Sequence, residues 1–480
     1  MTFQISLEDS VRFAALSGDF NPLHLSPLAS RRSPFGSSVV HGAHATLKAL
    51  LDDSRNQNPE HSLARLAVWF REPIAHNAAI EVVVTSQDEL SLKMELKDGQ
   101  KTCQVIAATF SPRQDLPVRM LPSRNFDRAE AQNLSLAELD GVNQSTPLRF
   151  DETLAKQTFG CSVLSLPAIQ IAQLMAISRI VGMECPGLHS TLTQLSMDFQ
   201  DHDDDAETSE PVMHYQAKLV SSMLSKIRLS VQSLGLQANV ESLYRPPPIE
   251  QPSVKVIAKQ ISPREFANRQ CLVIGGSRGL GEVAAKILAA GGASVGLTYH
   301  SGQDDANKVC EEIREAGYDC HYMEWNVLDP PVHRPPSPDD WQPDSVFYFA
   351  TPHIGLTKSN VWQDERFTKF CDYYVRGFVR SVETARNIYH NGDSRLSVFY
   401  PSTVLLDTPG LLAAEYAAAK AASESVCEFL GSLPGVYCYR TRLPRILTDQ
   451  TNSFVAAAAE DATTVLLSAF REMQRLAPEA

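Results

Sequence analysis

The spacing of apolar residues changes near Gln270, and this change constrains the fold more than any other feature of the 480-residue chain. Before it, two stretches of similar plan each combine one apolar helix with several strands in which apolar and polar residues alternate. After it, short apolar strands alternate with helices, which is typical of a doubly wound parallel sheet. We therefore expect a repeated α+β arrangement, an antiparallel sheet around a central helix, followed by an α/β domain of Rossmann type.

The two repeats have matching predicted elements. The first has a helix over 42–51 and strands over 66–70, 80–85, 90–96 and 103–110. The second has a helix over 166–181 and strands over 192–199, 213–221, 225–233 and 237–244. A helix wrapped by an antiparallel sheet accommodates both patterns, and their repetition predicts two hot-dog folds side by side, a double hot-dog.

Two connectors divide the chain into predicted domains. Residues 114–148 are polar and broken, and Tyr244–Pro252 contains three consecutive prolines, which favour a stiff, extended linker. The predicted boundaries are a first hot-dog domain over 1–115, a linker over 116–147, a second hot-dog domain over 148–244, a Pro-rich linker over 245–265 and a Rossmann-type domain over 266–480.

Charge and cysteine content argue against several classes of protein. The net charge of -13 disfavours nucleic acid as the main partner, because phosphate contacts need a basic face. The nine cysteines are scattered and never spaced as Cys-x-x-Cys, which favours a reduced intracellular compartment over a disulfide framework or a zinc site. No apolar run approaches the ~18–20 residues that span a bilayer, and the N-terminus lacks the pattern of a signal peptide. We expect a cytoplasmic protein without membrane insertion.

The segment SGDFNPLH places a carboxylate, Asp19, and an imidazole, His24, five residues apart in a turn. Asn-Pro between them favours a turn that folds the two side chains back toward each other. Such a pair could act as general acid and base on water if both groups converge on one point. The spacing alone also allows a helix C-terminus at Ser17-Gly18, with Asp19 capping the next turn and His24 on the surface.

Three motifs, SGDFNPLH, ASRRSPFGSSVVHGAH and WFREPI, occur in this order within residues 5–112. Together they resemble the MaoC-like (R)-specific enoyl-CoA hydratases of the hot-dog superfamily. The resemblance implies that Asp19 and His24 bind and activate water. It also implies that the backbone amide of Gly42, at the start of the central helix, polarises the thioester carbonyl. His41 and His44 are interpreted as structural.

The second repeat has no counterpart of the Asp-x-Asn-Pro-x-His motif. It resembles the non-catalytic half of double hot-dog hydratases, which widens the acyl pocket. We interpret His189 as structural, and the acidic run Asp201–Asp205 as a solvated hairpin tip, so that no metal site is expected.

A glycine-rich turn, Gly275–Gly281, lies between a predicted strand over 271–274 and a predicted helix over 282–290, where a pyrophosphate can bind the helix N-terminus. Its glycine spacing resembles the short-chain dehydrogenase/reductase family, and residues 268–455 agree with that family. The resemblance implies a nicotinamide cofactor bound by Gly275, Ser277, Arg278, Gly279, Leu280, Gly281, Asn326, Val327, Ala350, Tyr416, Lys420 and Thr448.

Ser402, at the end of an apolar strand, precedes Tyr416 and Lys420, which are four residues apart and so share a helical face. Hydride delivery to a ketone creates an alkoxide that needs a proton, and a nearby ammonium lowers the pKa of a tyrosine that donates it. By resemblance, Tyr416 is the acid, Lys420 lowers its pKa and Ser402 orients the carbonyl.

The cofactor preference is argued from charge. No acid follows the second strand at Thr298-Tyr299-His300, where an NAD site has one, and Arg278 could pair with a 2′-phosphate, so NADPH is favoured over NADH. Tyr374 departs from the family, which often has an asparagine there to complete a proton relay.

These features predict a bifunctional enzyme that joins an NADPH-dependent 3-oxoacyl-thioester reductase to an (R)-specific 3-hydroxyacyl hydratase/dehydratase. The expected substrates are thioesters of coenzyme A or acyl carrier protein, and by resemblance the chain forms a homo-oligomer. Two alternatives stay open: a hydratase with a degenerate reductase domain, and a scaffold that binds acyl carriers without turnover.

Overall fold

The computed structural model describes residues 1–52, 61–112, 121–200, 211–355, 361–390, 395–407, 413–452 and 458–477. The chain divides into two compact units, with the boundary between Pro247 and Pro248. Within the described ranges, each helix is too short or too polar to span a lipid bilayer.

In the first unit, the described residues form one ten-stranded sheet, six α-helices, a 3-10 helix (Cys161–Ser165) and a π-helix (Ile180–Glu184). The helices are α1 (Leu7–Ser17), α2 (Pro22–Leu25), α3 (Pro27–Ser30), α4 (Gly42–Asp52), α5 (Glu152–Phe159) and α6 (Ala168–Arg179). The strands are β1 (Thr2–Phe3), β2 (His61–Phe70), β3 (Ile80–Gln87), β4 (Ser91–Asp98), β5 (Lys101–Pro112), β6 (Asn143–Pro147), β7 (Ser190–Phe199), β8 (Val212–Ser221), β9 (Lys226–Ser233) and β10 (Leu236–Tyr244).

The order of these strands shows a two-fold repeat. It runs β1-β3-β4-β5-β2 and then β7-β10-β9-β8-β6, so each half repeats the plan of the other in reverse, and β2 pairs antiparallel with β7 at the centre. Helix α4 of the first half packs against helix α6 of the second half, and both halves contribute to a single apolar core. From Gln170 to Arg179, α6 is buried on all sides, as expected for a helix with little polar face.

The predicted linker over 116–147 is partly wrong, because residues 143–147 form β6 and pair with β8. The sequence NQSTP is polar and short, so it gave no strand signal. The predicted linker over 245–265 also differs from the observed structure, in which Val254, Ile257 and Ile261 are buried in the core of the second unit.

In the second unit, the described residues form a six-stranded parallel sheet. The strands are β11 (Gln270–Ile274), β12 (Ser294–Tyr299), β13 (Cys320–Glu324), β14 (Ser345–Tyr348), β15 (Leu396–Thr403) and β16 (Val436–Leu443). The helices are α7 (Val254–Ile257), α8 (Gly279–Ala290), α9 (Gln303–Glu315), α10 (Asp364–Cys371), α11 (Phe378–His390), α12 (Ala414–Gly431) and α13 (Ala462–Leu476).

The strand order is β13-β12-β11-β14-β15-β16, so the chain reverses its direction of winding between β11 and β14. Apolar clusters cover both faces of the sheet, as the predicted doubly wound arrangement requires. Ligands of such sheets bind beyond the carboxyl ends of the strands at this reversal point. The carboxyl ends of β11 and β14 therefore mark the candidate cofactor site.

Candidate active sites

The turn between α1 and α2 brings Asp19 and His24 together. Helix α1 ends before Gly18, whose φ of 80° is left-handed, and the Asn21 side chain caps α2 by accepting a hydrogen bond from the Leu23 amide at 3.0 Å. As a result, one carboxylate oxygen of Asp19 and one ring nitrogen each of His24 and His41 lie within 4.8 Å of one another. The surface position that the spacing also allowed for His24 is not observed, because its Nδ1 lies 2.8 Å from the Val39 carbonyl oxygen.

Asp19 is almost completely buried, with 2% of its surface exposed. Its carboxylate accepts hydrogen bonds from the Ser178 hydroxyl at 2.7 Å and from the backbone N–H of Asn21 at 3.2 Å. Burial raises the pKa of Asp19, while the nearby His24 and the Ser178 hydrogen bond oppose this rise.

The tautomer of His24 follows from its one backbone partner. Because a carbonyl oxygen only accepts, Nδ1 carries the hydrogen toward Val39, and Nε2 is left as the acceptor of the neutral ring. Burial lowers the pKa of His24, although Asp19 opposes this shift. The two shifts bring the pKa values of Asp19 and His24 toward each other, which suits a pair that exchanges a proton.

The contacts of His41 and His44 are in keeping with a structural role for both residues. The Nε2 atom of His41 lies 3.0 Å from the Asp19 backbone oxygen, and its ring stacks on that of His24 at 3.9 Å. His44 stacks on Phe13, and burial lowers its pKa to about 3. Asp19, His24 and His41 lie close together, and one ring nitrogen of each histidine already lies within hydrogen-bond distance of a backbone carbonyl oxygen. The expectation of no metal stays a prediction.

Gly42 is the first residue of α4, so its N–H belongs to the group of helix donors without an intrahelical partner. Its carbonyl oxygen accepts hydrogen bonds from Thr46 and Gln104. A Cβ at this position would lie 2.6 Å from the Phe70 ring, which explains why glycine begins the helix.

The second half of the first unit contacts the turn that carries Asp19 and His24, which sequence reasoning missed. The Asn21 side-chain amide donates to the carbonyl oxygens of Gly182, Gly187 and Leu188 at 2.7, 3.3 and 3.3 Å. His189 packs edge-on against Tyr244, in keeping with a structural role. The acidic run Asp201–Asp205 lies outside the described residues.

In the second unit, the glycine-rich turn packs closely at the carboxyl ends of β11 and β14. A Cβ on Gly275 would lie 2.8 Å from the Ala350 nitrogen, and one on Gly281 would lie 2.1 Å from the Gly275 oxygen. At Gly279, which has a φ of 59° and begins α8, a Cβ would meet nothing within 4 Å. The turn is thus closely packed on its inner side and open beside the helix N-terminus, as a bound pyrophosphate requires.

The other predicted cofactor residues also lie beyond carboxyl ends of strands. Ser277 follows β11, Leu280 lies in the first turn of α8, Asn326 and Val327 follow β13, and Thr448 follows β16. The Asn326 side chain accepts from the Leu328 amide at 3.0 Å, and Thr448 donates its amide to the Thr451 hydroxyl. The Arg278 guanidinium lies 3.9 Å from the Asp449 carboxylate.

Lys420 is enclosed by aromatic rings. Its Nζ donates to the Pro401 carbonyl oxygen at 2.7 Å and to the Tyr400 hydroxyl at 3.2 Å. The same atom lies 4.3 Å from the ring centroid of Tyr374 and 6.0 Å from that of Tyr416. Burial lowers the pKa of Lys420 to about 7.

The expected lowering of the Tyr416 pKa by Lys420 is not observed. Burial raises the pKa of Tyr416 to about 12, and the hydrogen bond with Thr403 is what opposes this rise. The physical reason is that Phe370 and Tyr374 pack edge-on against the Tyr416 ring, while the lysine Nζ is directed at Pro401.

The assignment of Ser402 as the carbonyl-orienting residue is also corrected. Ser402 donates its hydroxyl to Glu424, which Arg442 holds from the other side. Because side chains alternate along a strand, the next residue of β15, Thr403, faces Tyr416 instead. Tyr374, in the place of the family's asparagine, is buried and shares a hydrogen bond of 2.6 Å with the Thr351 hydroxyl.

A comparison with known proteins found a family model that matches the segment containing the first of these sites. Residues 2–109 match the model of the MaoC like domain, which implies a hot-dog fold for this segment. Over 82 residues, 17% of this chain, the sequence is 35% identical to a 3-hydroxybutyryl-CoA dehydratase of Methylorubrum extorquens, and the match spans about half (52%) of that relative's length.

Solved structures of short-chain dehydrogenases resemble the chain more distantly. One from Burkholderia cenocepacia in complex with NADP is 22% identical, with a TM-score of 0.36, and covers 43% of this chain and 91% of its own. A short-chain dehydrogenase/reductase from Serratia marcescens is 18% identical, with the same TM-score of 0.36 and the same coverage of 43% and 91%.

Proposed function

We propose that the first unit is a double hot-dog enzyme that interconverts trans-2-enoyl and (3R)-3-hydroxyacyl thioesters by adding or removing water. The observation that carries this proposal is the convergence of a buried carboxylate, Asp19, and a neutral imidazole, His24, with pKa values shifted toward each other. The match of residues 2–109 to the MaoC like domain supports it.

In the hydration direction, a water molecule held between Asp19 and His24 gives a proton to the pair as its oxygen bonds to C3 of the substrate. The pair then supplies a proton to C2, so that water is added across the double bond. The Gly42 amide polarises the thioester carbonyl during this step, because a helix N-terminus favours developing negative charge. Dehydration is the reverse. Coenzyme A or acyl carrier protein carries the acyl group.

We further propose that the second unit reduces the 3-oxoacyl thioester to the 3-hydroxyacyl thioester that the first unit dehydrates. The open space beside Gly279 and the tight contact of Gly275 with Ala350 support binding of NADPH at the reversal point of the sheet. When bound, this cofactor supplies a hydride to the carbonyl carbon. Tyr416 donates the proton to the carbonyl oxygen, and Thr403 holds that oxygen in place.

Cofactor selectivity is assigned to Arg278, which would turn from Asp449 to a 2′-phosphate. An Arg278→Ala variant should weaken NADPH binding at least ~10-fold and leave NADH binding nearly unchanged, since a lost charge-assisted hydrogen bond costs about 1.5–3 kcal/mol.

We propose that the chain acts as a homo-oligomer, like many proteins of both families it resembles.

A second candidate function is a hydratase with an inactive reductase unit. It is favoured by the enclosure of Lys420 beneath Tyr374 and by the raised pKa of Tyr416. One assay separates the two: purified protein is given NADPH and acetoacetyl-CoA, and nicotinamide absorbance is followed together with enoyl formation. A bifunctional enzyme oxidises NADPH and then forms the enoyl thioester. The second candidate leaves NADPH unoxidised, and it still hydrates crotonyl-CoA when this is supplied instead.

A further inference from the structure

We infer that Ser178, in the half that lacks the acid/base motif, is a positioning residue for Asp19 in the hydration reaction. This inference rests on the proposed hydratase function. The Ser178 hydroxyl donates to Oδ2 of Asp19 at 2.7 Å, across 159 residues of sequence. Both residues are buried, with 6% and 2% of their surface exposed, so water does not compete freely for this hydrogen bond.

The direction of the Ser178 side chain argues against an incidental contact. A serine within a helix often bonds the carbonyl oxygen four residues earlier in its own helix. Near the end of α6, Ser178 instead donates to Asp19 of the other half. The backbone N–H of Asn21 donates to Oδ1 at 3.2 Å, while Ser178 donates to Oδ2. Because each carboxylate oxygen has its own donor, the rotation of the carboxylate is fixed.

The π-helix Ile180–Glu184, which follows α6, also contacts the carboxylate of Asp19. A Cβ on Gly182 would lie 2.3 Å from Oδ1 of Asp19, so the carboxylate packs directly on the glycine backbone. The Gly182 carbonyl oxygen also accepts from the Asn21 side chain at 2.7 Å. Residues 178–182 therefore contact the catalytic turn on both sides of Phe20, and the second half supplies more than acyl-binding surface.

The charges around Asp19 define what Ser178 contributes. His24 and Arg179 favour the ionised carboxylate and burial disfavours it, while Arg245 faces His24 and disfavours the imidazolium. The hydroxyl of Ser178 donates to the ionised form and so stabilises it. Without this donor, Asp19 should take up a proton at a higher pH and lose its fixed orientation.

The test compares Ser178→Ala with Ser178→Thr and with a control, Ser242→Ala. Ser242 is a fully buried serine of the same half whose hydroxyl has no hydrogen-bond partner among the described residues. For crotonyl-CoA hydration by the full chain, we expect Ser178→Ala to lower kcat at least ~10-fold with KM changed less than ~2-fold, and to move the acidic limb of the pH profile to higher pH. Ser178→Thr should restore most of the rate, and Ser242→Ala should leave both unchanged.

An unchanged kcat and pH profile in Ser178→Ala would overturn the inference, and so would an equal loss in Ser242→Ala. Failure of the proposed function is seen separately, as wild-type protein that does not hydrate crotonyl-CoA. In that case crystal structures of the wild type and Ser178→Ala decide the matter. A rotated Asp19 carboxylate in the variant supports the positioning role, and an unchanged one contradicts it.

Discussion

The Nζ atom of Lys420 lies 4.3 Å from the ring centroid of Tyr374, so an aromatic face occupies the place of the asparagine expected from the short-chain reductase resemblance. A cation over an aromatic ring is stabilised by the ring quadrupole, by about 2 kcal/mol when water is excluded. Since Lys420 also donates to Pro401 and Tyr400, it is held within the protein by three contacts. These contacts give the lysine of this unit a structural function.

Thr403 and Ser402 provide a matched test of the reductase site. Thr403→Ala should lower the rate of NADPH-dependent ketone reduction roughly 100-fold, because it removes the hydroxyl that faces Tyr416. Ser402→Ala should change that rate less than ~2-fold, since Ser402 is directed at Glu424. The measurement is kcat with acetoacetyl-CoA for each variant. The reverse order of effects would restore Ser402 to the site.

Lys420 should make the stability of the second unit depend on pH. Its pKa falls from 10.5 to about 7 on folding because of burial. Between these values the unfolded chain binds a proton that the folded chain releases, so stability rises as the pH rises through this window. Lys420→Met removes this contribution. Between pH ~7 and ~9, the unfolding free energy of the variant should therefore increase by about 1–2 kcal/mol less than the unfolding free energy of the wild type.

Urea unfolding at both pH values measures this difference. The control is Lys308→Met, which removes an exposed lysine of α9. Its unfolding free energy should change with pH as steeply as that of the wild type. Equal slopes for Lys420→Met and the wild type would show that the lysine is not buried in the folded protein.

Gln170 should stabilise the join between the two halves of the first unit. Its side-chain amide bonds both the N–H and the carbonyl oxygen of Leu63, which lies beyond the part of β2 that pairs with β7. Gln170→Ala leaves two buried backbone groups unpaired and should lower the unfolding free energy by about 2–4 kcal/mol. Gln173→Ala breaks one hydrogen bond, to Leu234, and should cost about 1 kcal/mol. A smaller loss at Gln170 than at Gln173 would contradict this account.

Much of the fold could be predicted from hydrophobic period alone. The predicted strands of both repeats lie within a few residues of those observed, because each is long and alternates clearly. Strand β1 has two residues and β6 is polar, so neither gave a signal, and both form because a neighbouring strand offers a free edge. The convergence of Asp19 and His24 was predictable, since a local turn produces it.

What could not be predicted depends on contacts distant in sequence. Ser178 and Gly182 meet Asp19 through packing of α6, and no local pattern marks them. The choice between Ser402 and Thr403 depends on which face of β15 meets α12, and a shift of one residue reverses it. The direction of the Tyr416 pKa shift depends on how deeply the ring is buried, which spacing does not reveal.

Hydration of crotonyl-CoA by the wild type, Asp19→Asn and Tyr416→Phe tests the central claim most directly. Asn retains the shape of Asp19 and removes its charge, so hydration should fall about 100- to 10,000-fold, the range that a general acid or base contributes. Tyr416→Phe should hydrate at the wild-type rate while losing NADPH oxidation with acetoacetyl-CoA. Wild-type hydration by Asp19→Asn would contradict the account and return the first unit to the role of a scaffold that binds acyl carriers.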